Sequence, residues 1–283
     1  MTTGDIAGYY DRLGRWNRIF ALFGKGGGSE TLTVHRALID PKAGGERTFT
    51  RLHDVLIAHL PHTPAPRVLD AGCGLGGTMI ELARRLGATC VGLTLSPSQA
   101  ATANAAAARL GLSERVRAII QTYDEPPQGP HDLIVAIESL AHSRDPLRSV
   151  SRLAATLAPG GALAIVDDMP EPEAEGTADL ALGKAGWESP VLWSAADYRH
   201  ALQAQGLEII ADEDLTPQCR PRSAATLGRI LALCRIVYRW SPSRPLRDVM
   251  HSHMGGLALE RLTTNGLVRY RLFVARRPML QVS

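Results

Sequence analysis

Between Arg67 and Val166 short apolar segments alternate with amphipathic ones at a spacing that few architectures accept. Strands are predicted at Arg67–Asp70, Thr89–Leu93, Val116–Gln121, Asp132–Ile137 and Ala162–Val166, and helices at Thr78–Leu86, Ser98–Leu110 and Pro146–Leu157. Such alternation implies an α/β fold whose parallel sheet is covered on both faces. The alanine-rich "AATANAAAA" inside the second helix is strong helix former, and no internal repeat is present.

The flanking segments read differently. Ile6, Tyr9, Tyr10, Leu13, Trp16, Ile19, Phe20 and Leu22 recur at helical spacing over Gly4 to Phe23, and "GKGGGSE" then breaks the pattern. A helix is expected from Glu46 to Leu60, stopping at the prolines of "PHTPAP". Beyond Asp167, the acidic "DDMPEPEAEGTADLALGKAGWESP" reads as a loop or lid. It is followed by a helix over Ser194–Gln205, the strand "LEIIADED", an arginine-rich helical segment over Pro221–Trp240 and a last strand "LVRYRLFVARR". One domain accounts for all of this: a helical cap at 1–62, a core at 63–170, a lid and specificity region at 171–266 and the closing strand at 267–283.

Composition removes several classes. A chain of 283 residues with 45% apolar content is not a disordered protein. Its longest apolar runs, "DLIVAI" and "GALAIVDD", fall far short of the roughly 20 residues of a membrane helix, and Met1 to Phe23 lacks the form of a signal peptide. A cytoplasmic location with no membrane span is expected. Cys73, Cys90, Cys219 and Cys234 show neither paired spacing nor histidines at zinc-finger distance, so no structural metal and no disulfide framework are indicated. A net charge of +3 does not argue for nucleic acid, although arginines crowd the stretch from Arg220 to Arg247.

The chemistry begins at "VLDAGCGLGGTMIEL", where a strand enters a glycine turn and leaves as a helix. Gly72, Gly74 and Gly77 satisfy the spacing of a dinucleotide-binding turn. That reading also calls for an acid at the end of the second strand, where "GLTLS" offers Thr94 instead. Asp70, meanwhile, stands two residues before the first glycine. A carboxylate there repels a pyrophosphate and attracts a cation. S-adenosylmethionine, with a sulfonium, an ammonium and no phosphate, suits the turn better.

With those residues in hand the chain resembles the class I S-adenosylmethionine-dependent methyltransferases, whose first motif "VLDAGCGLGGT" matches. "VGLTLSPSQ" is similar to the tocopherol, sterol and cyclopropane-fatty-acid branch, where most of the class carry an acid. "QTYDEP" and "DLIVAIESLAH" resemble the third-strand and fourth-strand segments, and "GYYD" the segment that closes over the cofactor. The resemblance implies a Rossmann-like fold with a mostly parallel seven-stranded sheet, a helical cap and an inserted lid. It also implies a cofactor site of Asp70, Gly72, Cys73, Gly74, Gly76, Thr94, Leu95, Gln99, Thr122, Tyr123 and Ile137, with S-adenosylhomocysteine as product. An acid usual beside Thr122 is missing from this chain.

Methyl transfer is an in-line displacement that needs an aligned nucleophile and, where a proton is lost, a base. "IESLAHS" sets Glu138 and His142 four residues apart, on one face if the segment is helical. The sterol-like resemblance assigns Glu138 as base or cation stabiliser, His142 as its orienter, and Tyr10 as a closing residue; a cofactor contact is the competing role for Glu138 and His142. Aromatic residues outside the core, Trp187, Trp193, Tyr198, Tyr238 and Trp240 among them, suit either an isoprenoid pocket or cap packing. Arginines 220, 222, 229, 235, 239, 244 and 247 suit either a substrate diphosphate or a solvated helix face, and a metal is expected only where the substrate carries a diphosphate.

The expected reaction is therefore methylation of a lipophilic small molecule, with carbon methylation of a prenyl alkene ahead of oxygen methylation of a natural-product hydroxyl. A cofactor-binding fold that acts as a cyclase or scaffold without methylating is the competing class. No nucleic-acid partner is expected, since "N/D-P-P-Y/F" is absent after the fourth strand, and homo-oligomerisation is left open.

Overall fold

The computed structural model describes residues 32–60 and 62–279. The N-terminal helix expected over Gly4 to Phe23, and Tyr10 with it, lies outside the described residues. The described chain opens with a hairpin of β1 (Leu38–Asp40) and β2 (Glu46–Thr48). Asp40 secures the turn by accepting from the Lys42 amide at 2.8 Å and the Thr48 hydroxyl at 3.0 Å. The helix expected from Glu46 therefore starts later, as α1 (Thr50–His59), because residues 46–48 are spent on pairing with β1.

The core follows the expected alternation: β3 (Arg67–Ala71), α2 (Gly77–Leu86), β4 (Thr89–Thr94), α3 (Pro97–Arg109), β5 (Val116–Ile120), β6 (His131–Ile137), α4 (Pro146–Ala155) and β7 (Leu157–Pro170). Proline at the first turn and a side-chain cap start two of these helices, Ser96 accepting from the Gln99 amide and Asp145 from that of Arg148. The remaining elements are α5 (Ala178–Gly186), α6 (Ala195–Ala204), β8 (Glu208–Asp214), α7 (Thr216–Cys219), α8 (Ala224–Trp240), α9 (Arg244–Thr264) and β9 (Val268–Arg276).

Seven strands form one sheet in the order β5-β4-β3-β6-β7-β9-β8. The first five run parallel, and β9 inserts antiparallel between β7 and β8. This is the mostly parallel Rossmann-like sheet that the sequence implies. Alternating side chains fill two cores: Val68, Leu133, Val135 and Ala164 pack with α1, α2 and α3 on one face, while Leu69, Ile134, Leu163 and Ile165 pack with α4 and α6 on the other. Each fully buried aliphatic chain contributes about 1.5–3 kcal/mol.

Two further segments differ from expectation. The acidic stretch after Asp167 is not a loop: β7 runs through Pro170, and α5 follows behind a Thr177 cap. α5 crosses α9, a helix absent from the sequence expectation, so closely that a methyl on Gly186 would lie 2.7 Å from the Gly255 Cα. α8 packs on α9 through Leu227, Leu231 and Cys234 against Met254 and Leu257, with Leu182 of α5 against the same cluster. α9 itself packs Leu259 and Leu262 in one cluster with Val268 at the start of β9. Among the described residues no helix is long and apolar enough to cross a membrane.

Candidate active site at the switch point of the sheet

The chain builds β3, β4 and β5 outward on one side and then returns to lay β6 on the other side of β3. Ligands of open α/β sheets bind at that reversal, beyond the carboxyl ends of the strands. Asp70 stands there, paired in register with Gly92 of β4 and Val135 of β6. It is 3% exposed, and burial raises its carboxyl to about pH 7. No hydrogen-bond donor among the described residues reaches its side chain, so a cationic ligand would relieve the cost of its charge.

The turn after Asp70 is held by the Cys73 amide donating to the Leu93 carbonyl at 2.9 Å, and burial pushes the Cys73 thiol well above its ordinary range. Gly72, Gly74 and Gly76 all have positive φ. Gly72 is the constrained one: with φ at 114°, a Cβ would lie 2.4 Å from the Ser139 Cβ. Gly72→Ala is expected to cost roughly 1–3 kcal/mol from backbone strain alone, read as a lower melting temperature together with weakened cofactor binding.

Ser139 gathers three loops. Its hydroxyl is buried without a hydrogen-bond partner, its Cβ faces Gly72, and its carbonyl accepts from the Tyr123 phenol at 3.2 Å. Burial raises the Tyr123 phenol, which keeps it protonated as that donor. Thr122 accepts from the Asp124 amide at 3.2 Å, and Ile137 ends β6 half-buried. On the β4 side, the Thr94 hydroxyl donates to the Gln99 amide oxygen at 2.7 Å and accepts from the Ser96 amide at 3.1 Å. Leu95 between them is half-buried. Thr94 thus fixes the orientation of Gln99, whose amide nitrogen has no acceptor among the described residues.

Glu138 and His142 do not share a helical face. Glu138 adopts a left-handed φ of 49°, and only a single 3-10 turn, Leu140–His142, follows. His142 bonds to the Glu188 backbone, and burial lowers its imidazole to about pH 4. Glu138 is oriented instead by residues far away in sequence. Its Oε1 accepts from the Arg36 amide and from the Tyr270 hydroxyl, both at 2.8 Å. The Arg36 guanidinium lies 4.8 Å from the centroid of the same Tyr270 ring and pairs with Asp168 at 2.7 Å.

Next to this pair stands a third carboxyl. Asp167 accepts from the Tyr198 hydroxyl at 3.1 Å and the Ala141 amide at 3.2 Å, so it ties the segment after Glu138 to α6. Burial, reinforced by Asp168 and Glu138, raises Asp167 to about pH 8. Burial also raises Asp168, to about pH 6, with Arg36 opposing it, and its Oδ1 is buried without a hydrogen-bond partner. Three acidic side chains and one guanidinium therefore meet at the ends of β6 and β7. Arg36, Asp167, Asp168, Tyr270 and Ser139 were not singled out from the sequence; the consecutive acids closing "GALAIVDD" were the available signal.

The other arginines lie elsewhere. Arg222 forks onto Glu260 through the side chain and its own amide, Arg247 donates to the Ser241 carbonyl at 3.1 Å, and Arg220, Arg229, Arg235, Arg239 and Arg244 are exposed. Among the described residues the aromatic side chains named above do not line one pocket. Tyr198 and Trp193 meet edge to face beside Asp167, Trp187 packs over Gly256, and Tyr238 and Trp240 are exposed. Among the described residues no group of three or more histidine, cysteine or acidic side chains could hold a metal ion.

Known proteins share sequence and fold with this chain. A family model described as a methyltransferase domain matches residues 37–212. The chloroplastic tocopherol O-methyltransferase of Arabidopsis thaliana is 29% identical over 230 residues, 75% of this chain and 63% of that protein, so the chain spans less than two thirds of that relative. The 27-O-demethylrifamycin SV methyltransferase of Amycolatopsis mediterranei is 31% identical over 188 residues, 64% of this chain and 68% of that protein. Among solved structures, geranyl diphosphate C-methyltransferase from Streptomyces coelicolor, with Mg2+, geranyl diphosphate and S-adenosyl-L-homocysteine bound, shares the fold at a TM-score of 0.71, 20% identity and 97% coverage of each chain. With a methyltransferase domain matched over more than half its length and a seven-stranded, mostly parallel Rossmann-like sheet, the chain belongs to the class I S-adenosylmethionine-dependent methyltransferases.

Proposed function

We propose that the protein methylates carbon in a lipophilic alkene, a prenyl chain or prenyl diphosphate, with Glu138 as the group that takes up the proton. The observation that carries this reading is the fixed Glu138 carboxylate, held at one oxygen by Arg36 and Tyr270 beside two further acids. S-adenosylmethionine supplies, when bound, a methyl group on a positively charged sulfur. Asp70 would hold its cationic end, Thr94, Leu95 and Gln99 its adenosine, and Tyr123 and Ile137 the wall between.

The alkene's π electrons form the new carbon–carbon bond as the carbon–sulfur bond breaks. Positive charge then lies on the substrate, where a negative potential stabilises it. Loss of a proton from the adjacent carbon to Glu138 restores a double bond and leaves the carboxyl neutral. Oxygen methylation is the second reading, favoured by the reactions named for the tocopherol and rifamycin relatives. There Glu138 would take the proton of a hydroxyl.

Methyl-deuterated S-adenosylmethionine, offered with prenyl diphosphates and with hydroxylated aromatics, separates the readings by mass spectrometry of the products. Label in a prenyl product carries the proposal; label confined to phenols overturns it in favour of oxygen. Label in neither panel, with a binding partner retained by the Asp70→Ala variant, would indicate a scaffold or cyclase.

Asp70 also gives the cofactor site a pH signature. Its carboxyl is raised to about pH 7, so the anion that a cationic ligand needs is lost as pH falls through that value. Affinity for S-adenosylmethionine is expected to rise from pH 6 to pH 8 and then level off. In Asp70→Asn it should be weaker by about 10- to 100-fold, the equivalent of roughly 1.5–3 kcal/mol for a lost charged hydrogen bond, and flat with pH. Calorimetric titration at three pH values checks both.

A further inference from the structure

The outer face of α8 has no role in the site described above. Leu227, Leu231 and Cys234 bury its inner face against α9. About half a turn away, Leu233, Ile236 and Trp240 are 61%, 57% and 74% exposed. With Arg229 they form one stripe at spacings of four, three and four residues. Arg235 and Arg239 rise beside it, and with Ile236 and Trp240 they line a shallow hollow of about 480 Å³. No acidic residue stands between Asp214 and Asp248, a stretch that carries seven arginines.

We infer that this face of α8 docks the protein on an anionic lipid surface, with Leu233, Ile236 and Trp240 entering the headgroup boundary and Arg229, Arg235 and Arg239 meeting lipid phosphates. The charge pattern selects this occupant. A second copy joined by a two-fold axis would set these arginines against their equivalents with no acid in the stretch to offset them. A nucleic acid would satisfy the arginines but leave the aliphatic stripe against water or phosphate. An interfacial helix needs the two together, apolar stripe and flanking cations, and tryptophan favours the headgroup level. Arg235 and Arg239, like charges one turn apart, gain most from an anion between them. The inference is independent of which atom the enzyme methylates.

Flotation of the full chain with phosphatidylcholine vesicles, and with vesicles containing phosphatidylglycerol, tests it. Binding is expected to the anionic vesicles, with little to the neutral ones and a decrease as salt is raised. Arg235→Glu/Arg239→Glu should reduce partitioning by about tenfold or more. Leu233→Ser/Ile236→Ser/Trp240→Ser should reduce it comparably while the salt dependence persists. All five positions are solvent-exposed, so both variants should keep the wild-type melting temperature and cofactor affinity. Several outcomes overturn the inference: no binding to anionic vesicles, equal binding to both vesicle types, or vesicle binding that both variants retain. Salt-sensitive binding to a nucleic acid without vesicle binding, or a dimer that the Leu233/Ile236/Trp240 variant dissolves, would assign the face to those partners instead.

Discussion

Glu138→Gln is expected to lower turnover by about 10²- to 10⁴-fold, the range that a positioned general base contributes, without changing cofactor affinity. Glutamine keeps the size of the side chain, and its amide oxygen can still accept from the Arg36 amide and the Tyr270 hydroxyl, so the local structure survives. It cannot accept the proton and it removes one negative charge beside the reacting carbon. The pH profile then separates the two chemistries. A hydroxyl acceptor ionises without help as pH rises, so for oxygen methylation the variant should recover at high pH. An alkene cation gains nothing from bulk pH in this way, and the deficit should persist. Single-turnover rates with labelled cofactor and calorimetry with S-adenosylhomocysteine are the two measurements. A variant that turns over like wild type would return Glu138 to a structural role.

What could be read from the sequence and what could not divides by range. Asp70 and the glycine turn are a local device: the acid, the positive-φ residues and the helix start all lie within eight residues. Thr94, Ser96 and Gln99 are likewise bonded to one another within six. Glu138 was legible as an acid at a strand end, but its setting was not. Its partners come from position 36, before the core begins, and from position 270, on the last strand. Only the insertion of β9 beside β7 brings Tyr270 into register with Asp168, and nothing in a window of the sequence announces that pairing. Proximity at helical spacing suggested His142 as the partner instead, and the left-handed turn at Glu138 breaks that geometry. α9 is hidden in the sequence for the opposite reason. Its Gly255–Gly256 pair lowers helix propensity, yet the small Gly255 is what lets α5 approach, and packing outweighs the local cost.

Arg36→Met is expected to destabilise the protein by about 3–5 kcal/mol at pH 8, the cost of leaving one partner of a buried ion pair unpaired. Asp168 is 3% exposed with one oxygen already unpartnered, and Arg36 is the cation that offsets its burial. Methionine fills much of the same volume and can still pack on the Tyr270 ring, so the loss is chiefly electrostatic. The sign with pH follows. Arg36 holds the Asp168 carboxyl down against burial, at about pH 6, and without the guanidinium it rises further. The carboxyl is then neutral at pH 5, so the gap between variant and wild type should narrow as pH falls from 8 to 5. At pH 8 the melting temperature should drop by on the order of 10 °C. Arg36→Met/Asp168→Asn should recover most of it at pH 8, because the charge and its partner leave together. A double variant as unstable as the single one would place the loss in packing around Tyr270, whereas recovery shows that Arg36 is retained to keep an acid charged beside Glu138. Restored stability without restored turnover would then tie that charge to the reaction itself, since the neutral pair leaves the Arg36 amide and the Tyr270 hydroxyl on Glu138 in place.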